Sequence, residues 1–183
     1  FLRNAMKVSR QFQAKLMNGM RVAFSGVEGA FAFIAAGKIF EKCVRIPFPD
    51  FKTAYDSVVN GDCDCAVLPI ENSTAGEVGQ VMDMMFSGPL CVSGIYDLSV
   101  THNLMAIPGT RLSDIEEVIS HPQALSQCAT YIHDHGFRQT QFENTARAAK
   151  YVAEQKSPRL AAIASVETAE LYGLEIIEKG INE

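Results

Sequence analysis

Apolar and polar positions along the chain alternate between two spacings. The segments Met20–Phe24, Val44–Phe48, Cys65–Leu68, Glu117–Ile119, Arg138–Phe142, Leu160–Ala164 and Leu174–Ile177 are short and bounded by turn residues, and read as strands. Between them apolar side chains return at three- and four-residue steps. That spacing predicts helices over Phe31–Phe40, Phe51–Asn60, Glu77–Phe86, Gln123–His135, Ala146–Gln155 and Ser165–Tyr172. Leu90–Val100 reads as a long strand region, and Leu112–Ser120 as a short helix or turn followed by a strand. Phe1–Asn18 is a further helix candidate, with Leu2, Ala5, Met6, Phe12 and Leu16 on one face, and Ser9 and Gln13 interrupt that stripe four residues apart. Asn18-Gly19, Pro49-Asp50, Asn60-Gly61, Ser87-Gly88-Pro89, Pro108-Gly109, Gly136 and Gly173 supply the breaks. Regular alternation of strand and helix predicts an α/β fold with mainly parallel sheets flanked by helices. A second unit of this kind starts near Thr101, and two such units place their strand-tip turns at a shared cleft, the usual ligand position in open α/β sheets.

Two of those turns are unusually polar. Leu68-Pro-Ile-Glu-Asn-Ser-Thr-Ala-Gly76 joins the Cys65 strand to the Glu77 helix, and Ser120-His-Pro-Gln-Ala-Leu-Ser-Gln127 joins the Glu117 strand to the Gln123 helix. Ser, Thr and Asn accept backbone N–H groups at a helix start, and a strand tip feeding a helix N-terminus favours an anionic ligand. Ser25-Gly-Val-Glu-Gly-Ala30 is a third strand-to-helix loop, without the G-x-G-x-x-G spacing of a dinucleotide site.

Composition narrows the classes. Of 183 residues, 48% are hydrophobic and 20% charged, with a formal net charge of −5 and no basic stripe, which argues against a nucleic-acid partner. No apolar run reaches the length of a membrane span, so no membrane partner is expected. The five cysteines include one C-x-C pair, Cys63 and Cys65, and no zinc or redox spacing, which predicts reduced thiols and a cytoplasmic location. His133 and His135 are two apart and would point to different faces of a helix, so no metal site is expected there. Nothing acidic precedes Glu28, one feature of a transit peptide, but serine is scarce there. Phe1 in place of an initiator Met reads as a piece of a longer chain.

Leu68–Gly76, Ser120–Cys128, Asn144-Thr-Ala-Arg-Ala-Ala149, Ala161-Ala-Ile-Ala-Ser165 and Tyr172-Gly-Leu174 together resemble the prephenate dehydratase domain, in order and at compatible spacing from about Arg21 onward. That resemblance implies two lobes of the type II periplasmic-binding-protein kind: lobe one at 20–100, lobe two at 101–175, and a return to lobe one from 176 to 183. It also implies a cofactor-free, decarboxylating dehydration of prephenate to phenylpyruvate in L-phenylalanine biosynthesis, and a homodimer. Asn72, Ser73, Thr74, Ser120, Gln127 and Thr145 are the substrate-binding residues it implies, with Asn72 a donor to substrate oxygen, Ser120 a hydroxyl in the ligand shell, and Gln127 reaching in from the second lobe. Glu71 is expected to anchor its turn, and His102 and His121 to be structural, each bonded to backbone.

The first helix resembles the last helix of a chorismate mutase domain, with Ser9 and Gln13 in the places of that family's active-site serine and glutamine. Residues 1–19 are therefore expected to be a remnant of a bifunctional fusion, inactive as a mutase. Two departures stand out. The family's first loop carries hydroxyls where this chain has Gly26-Val-Glu-Gly-Ala-Phe-Ala32. Its Thr-Arg-Phe motif, source of the proposed proton donor, is expected after Glu183, so no catalytic residue is assigned within the chain. Arogenate, with an amino group for the keto oxygen, is an alternative substrate. A fragment that binds but does not turn over is a second alternative.

Overall fold

A computed structural model describes residue 6, residues 19–72 and residues 76–182. The expected helix over Phe1–Asn18, with Ser9 and Gln13, lies outside the described residues except for Met6, as do Ser73 and Thr74. The chain divides into two compact units, Phe1–Leu98 and Ser99–Glu183.

The first unit holds β1 (Arg21–Ser25), α1 (Phe31–Ile39), β2 (Val44–Phe48), α2 (Phe51–Val59), β3 (Cys65–Val67), a two-stranded ribbon of β4 (Glu71–Asn72) and β5 (Gly76–Glu77), and α3 (Gly79–Ser87). Its three-stranded sheet has the order β2-β1-β3 and both ladders are parallel. Val22, Ala23 and Phe24 of β1 are all buried, as a strand covered on both faces must be. Side chains alternate across a strand, so Ala23 packs with Ala54 of α2 while Phe24 meets Phe33 of α1 edge-on, ring centroids 5.4 Å apart. Asp50 caps α2 by accepting from Thr53 N at 2.7 Å. Tyr55, Val81 and Met84 join α2 to α3.

The second unit holds β6 (Asn103–Ala106), a 3-10 turn (Leu112–Asp114), β7 (Glu117–Ser120), α4 (Pro122–Gln127), α5 (Ala129–Asp134), β8 (Arg138–Gln141), α6 (Thr145–Gln155), β9 (Leu160–Ala164), α7 (Val166–Tyr172) and β10 (Glu175–Glu178). Its sheet runs β10-β6-β9-β7-β8, parallel across β9-β7-β8 and antiparallel across β10-β6-β9. Strand periodicity sorts the core into two layers. Leu104, Ala106, Val118, Ala161 and Ile163 pack with Leu125, Cys128 and Ile132 of the α4–α5 region, and Met105, Ile119, Ala162 and Ala164 pack with Ala148, Ala149 and Val152 of α6. Alanines on both sides of the second layer allow α6 to lie close to the sheet.

Four expectations are corrected. Glu71 and Asn72 do not lead into a helix start: they pair antiparallel with Glu77 and Gly76, and α3 starts at Gly79 with no side-chain cap from Val78. Polar turn residues are as compatible with a tight ribbon as with a cap, and composition does not separate the two. Leu90–Val100 forms no strand; alternation makes a segment competent for a ladder, but a ladder needs a neighbouring strand. The helix expected over Gln123–His135 is broken at Cys128 (φ −115°, ψ 17°), because the apolar stripe through Leu125, Cys128 and Ile132 reports burial and not backbone continuity. Residues 176–183 do not leave the second unit as expected: β10 pairs with β6, and Ile181 N–H donates to His102 O at 2.9 Å.

At the end of α3, Gly88 lies where a Cβ would come within 2.0 Å of Tyr55 Oη and 2.6 Å of Met84 O. Gly88→Ala therefore forces Tyr55, whose hydroxyl accepts from Leu90 N at 3.2 Å, out of its place. The expected loss is about 1–3 kcal/mol in urea unfolding, partly recovered by adding Tyr55→Phe. Gly79→Ala, with open space around it, is the control and leaves overpacking out.

Candidate functional site

In the second unit β7, β8 and β9 run parallel, so their C-terminal ends share one edge of the sheet. β6 runs opposite to β9, and the register Asn103↔Ala164 brings its N-terminal end to the same edge. Residues distant in sequence thus collect there: His102 and Asn103 before and at the start of β6, Ser120 and His121 at the end of β7, Asn144 and Thr145 after β8, and Ser165 after β9. Helix starts follow three of these strands. His121 Nδ1 accepts from Gln123 N at 3.2 Å, Asn144 Oδ1 from Arg147 N at 2.7 Å, and Ser165 Oγ from Thr168 N at 3.3 Å.

Ser120 is fully buried, and its hydroxyl donates to Ile163 O at 2.6 Å. A hydroxyl has one proton, so donation to an anion would require this strand-to-strand bond to break. Ser120 fastens β7 to β9, and the helix cap belongs to its neighbour His121. Gln127, the last residue of α4, is half-buried, and its Oε1 lies 2.7 Å from His102 Nε2. Thr145 is buried at the first position of α6. In the first unit Asn72 is half-buried in the β4–β5 ribbon opposite Gly76. Glu71, expected to anchor its turn, is exposed and directly opposite Glu77. Like charges at paired positions weaken a ribbon, so Glu71 joins this one through its backbone and not through its carboxylate.

The first loop works through its backbone. Gly26 (φ +110°) donates its N–H to Phe48 O at 2.8 Å, Gly29 has φ +88°, and Ala30 gives α1 no side-chain cap. Two left-handed residues in one short loop explain why glycine stands at both positions.

His121 is bonded to backbone, as expected. His102 is structural in a different way. Its backbone N–H donates to Asn182 Oδ1 at 2.9 Å, its carbonyl accepts from Ile181 N, and its ring pairs with a side chain rather than with backbone. Burial pushes its pKa below the ordinary histidine value, partly offset by the bond to Gln127, so the neutral imidazole is favoured. Asn103, 1% exposed, donates to Thr101 O and Ala164 O and accepts from Gly180 N. The motif reading passed over Asn103 and Asn182. The available signal was a Thr-His-Asn run directly before four apolar residues: polar side chains at the mouth of a buried strand need partners. Among the described residues no group of three or more His, Cys, Asp or Glu could hold a metal ion, and no helix is long and apolar enough to cross a membrane.

Comparisons with known proteins include a family match over most of the chain. A model of that family, described as "Prephenate dehydratase", matches residues 22–183. "Arogenate dehydratase/prephenate dehydratase 6, chloroplastic" of Arabidopsis thaliana is 40% identical over 168 residues, covering 91% of this chain and 41% of that protein. Among solved structures, a prephenate dehydratase from Arthrobacter aurescens in complex with L-Phe matches with TM-score 0.77 and 29% identity over 89% of this chain and 56% of that one. A protein described as a novel type of quorum-quenching acylase matches with TM-score 0.81 and 31% identity over 89% and 60%. The chain spans less than half the length of the curated relative and under two thirds of either solved chain.

Two outcomes follow from the histidines. Because the folded-state pKa of His102 is below its unfolded value, the unfolded chain takes up the proton first as pH falls. Stability is fully present above about pH 6.5 and declines from there toward the lower folded pKa. Urea unfolding between pH 5 and 8 should show this slope, and His102→Gln should flatten it. His121→Gln should lower the melting temperature more than substrate affinity, since His121 acts as a cap; an affinity loss at unchanged melting temperature would contradict that role.

Proposed function

Because this chain belongs to the prephenate dehydratase family, we propose that the protein carrying it converts prephenate to phenylpyruvate, without a cofactor, for phenylalanine synthesis. In that reaction the bond from the ring to its carboxylate breaks, and its electron pair becomes a ring double bond. The opposite carbon–oxygen bond breaks as the hydroxyl leaves, protonated, as water. Aromaticity supplies the driving force. The protein must orient the two departing groups across the ring, protonate the hydroxyl and hold a dianion.

The observation that carries the reading is the gathering of neutral hydrogen-bonding groups at one edge of the second unit's mixed sheet in a chain of this family. His102, Ser120, His121, Thr145 and Ser165 sit there, and the nearby guanidinium of Arg147 is paired with Glu143. A lysine or arginine on the departing carboxylate would hold the ground state more strongly than the transition state, where that charge is leaving. Amide and hydroxyl donors avoid the penalty. In this reading Asn72, Ser73 and Thr74 of the first unit and Gln127 and Thr145 of the second contact substrate. Ser120 holds the strand tip from which Gln127's helix departs.

Arogenate has the same ring chemistry and is the alternative substrate, favoured by the double name of the Arabidopsis relative. The homodimer, the cytoplasmic location and the origin of residues 1–19 in a chorismate mutase fusion belong to the same proposal. Five cysteines free of disulfides suit a reducing compartment.

The deciding assay is phenylpyruvate formation from prephenate, with arogenate as competitor. It compares the 183-residue chain with a version extended through a Thr-Arg-Phe segment. Turnover by the extended protein alone is expected. If neither form turns over either substrate while prephenate still raises the melting temperature, the two units bind without catalysing and the lyase reading fails.

A further inference from the structure

We propose that His102 is a positioning residue: its ring holds the side-chain amide oxygen of Gln127 and so orients the NH2 group to meet substrate as a hydrogen-bond donor. The inference rests on the reading above, in which Gln127 contacts the substrate.

The ring itself has little freedom. His102 is 2% exposed, and its backbone is bonded on both sides, to Asn182 Oδ1 through its N–H and to Ile181 N through its carbonyl. The next residue, Asn103, is tied to Thr101 O, Ala164 O and Gly180 N. Gln127 is equally constrained at its base. It closes α4 directly before fully buried Cys128, where the helix breaks. The contact between them is Nε2 to Oε1 at 2.7 Å. An amide oxygen only accepts, so the proton is on Nε2, and the neutral ring has Nδ1 as its acceptor.

A free glutamine presents either end of its amide to a ligand at nearly equal cost. One whose oxygen is held by a buried imidazole presents the NH2 group. Carboxylate and keto oxygens accept that group, and a hydroxyl can accept it too. The fixed amide therefore reads for oxygen acceptors without bringing a formal positive charge to a carboxylate that must depart. Holding the rotamer before substrate arrives also removes an ordering cost from binding. A role for His102 in chemistry through its own proton is not required.

The test is a double-mutant cycle on the full-length protein, with kcat and KM measured separately and folding followed by melting temperature. Gln127→Ala and His102→Leu should each lower kcat/KM by about 10- to 100-fold, the range for a hydrogen bond to a charged group. Once Gln127 is alanine, His102→Leu should lower it little further. His102→Gln, whose amide nitrogen reaches about as far as Nε2, should recover most of the loss, and His102→Asn, one carbon shorter, should not.

A purely structural His102 would lower the melting temperature and give additive losses, which overturns the proposal. If Gln127→Ala leaves turnover unchanged, Gln127 does not contact substrate; the positioning role then falls while the lyase reading stands. If the wild-type protein turns over neither prephenate nor arogenate, both readings fall. Should His102→Leu not fold, long-range proton–nitrogen NMR of the wild type decides. Protonated Nε2 on His102 is expected, and protonated Nδ1 with bare Nε2 overturns the clamp.

Discussion

Covering the central strands of the second unit by helices on both faces is the constraint from which its other features follow. Leu104, Met105 and Ala106 of β6 and Ala161–Ala164 of β9 are all buried, so each residue along these strands must find an apolar neighbour on one side or the other. Leu104 and Ile163 face α4 and α5, and Met105 and Ala162 face α6. A strand buried on both faces exposes no polar side chain until it ends. The chemistry is therefore pushed to the strand tips, where Ser120, Asn144 and Ser165 turn the chain into helices. Reversal of β6 adds His102 and Asn103 to that edge, and the segment through Gly180, Ile181 and Asn182 is bonded over them.

Polar groups at this edge are committed before any ligand is considered. Ser120 bonds Ile163, His121 caps α4, Asn144 caps α6, Ser165 caps α7 and His102 meets Gln127. These bonds satisfy groups that burial would otherwise penalise. They also define what is left to offer a substrate. A serine whose proton is engaged does not donate to an anion, whereas a glutamine held by its oxygen has the direction of its NH2 group set. The site is thus shaped by its internal bonds as much as by the side chains present.

The proposed dehydration, driven by the gain of an aromatic ring, would need orientation more than strong acids or bases. Neutral donors on short, bonded turns suit that requirement, because their placement is determined by the sheet and helix ends behind them. The first unit, taken by itself, presents a different kind of surface. A glycine loop with two left-handed residues and a two-residue ribbon carry backbone groups and Asn72, with the exposed carboxylates of Glu71 and Glu77 facing each other.

The α/β class and most elements were legible in the chain, because strand and helix periodicities are local properties. Val44–Phe48 and Leu160–Ala164 are strands over the residues expected, and the helix expected from Ser165 starts one residue later, with Ser165 as its cap. The motifs around Asn72, Ser120 and Gln127 were enough to mark the family. The tertiary structure decided pairing and partners, which depend on residues far apart. Leu90–Val100 has the composition of a strand and no ladder, Glu71–Asn72 pairs with Gly76–Glu77 instead of capping a helix, and Ser120 spends its proton on Ile163 43 residues away. The bond from His102 to Gln127 spans 25 residues and joins the start of β6 to the end of α4. No periodicity encodes it; it exists because the antiparallel placement of β6 brings a buried imidazole within reach of one amide oxygen.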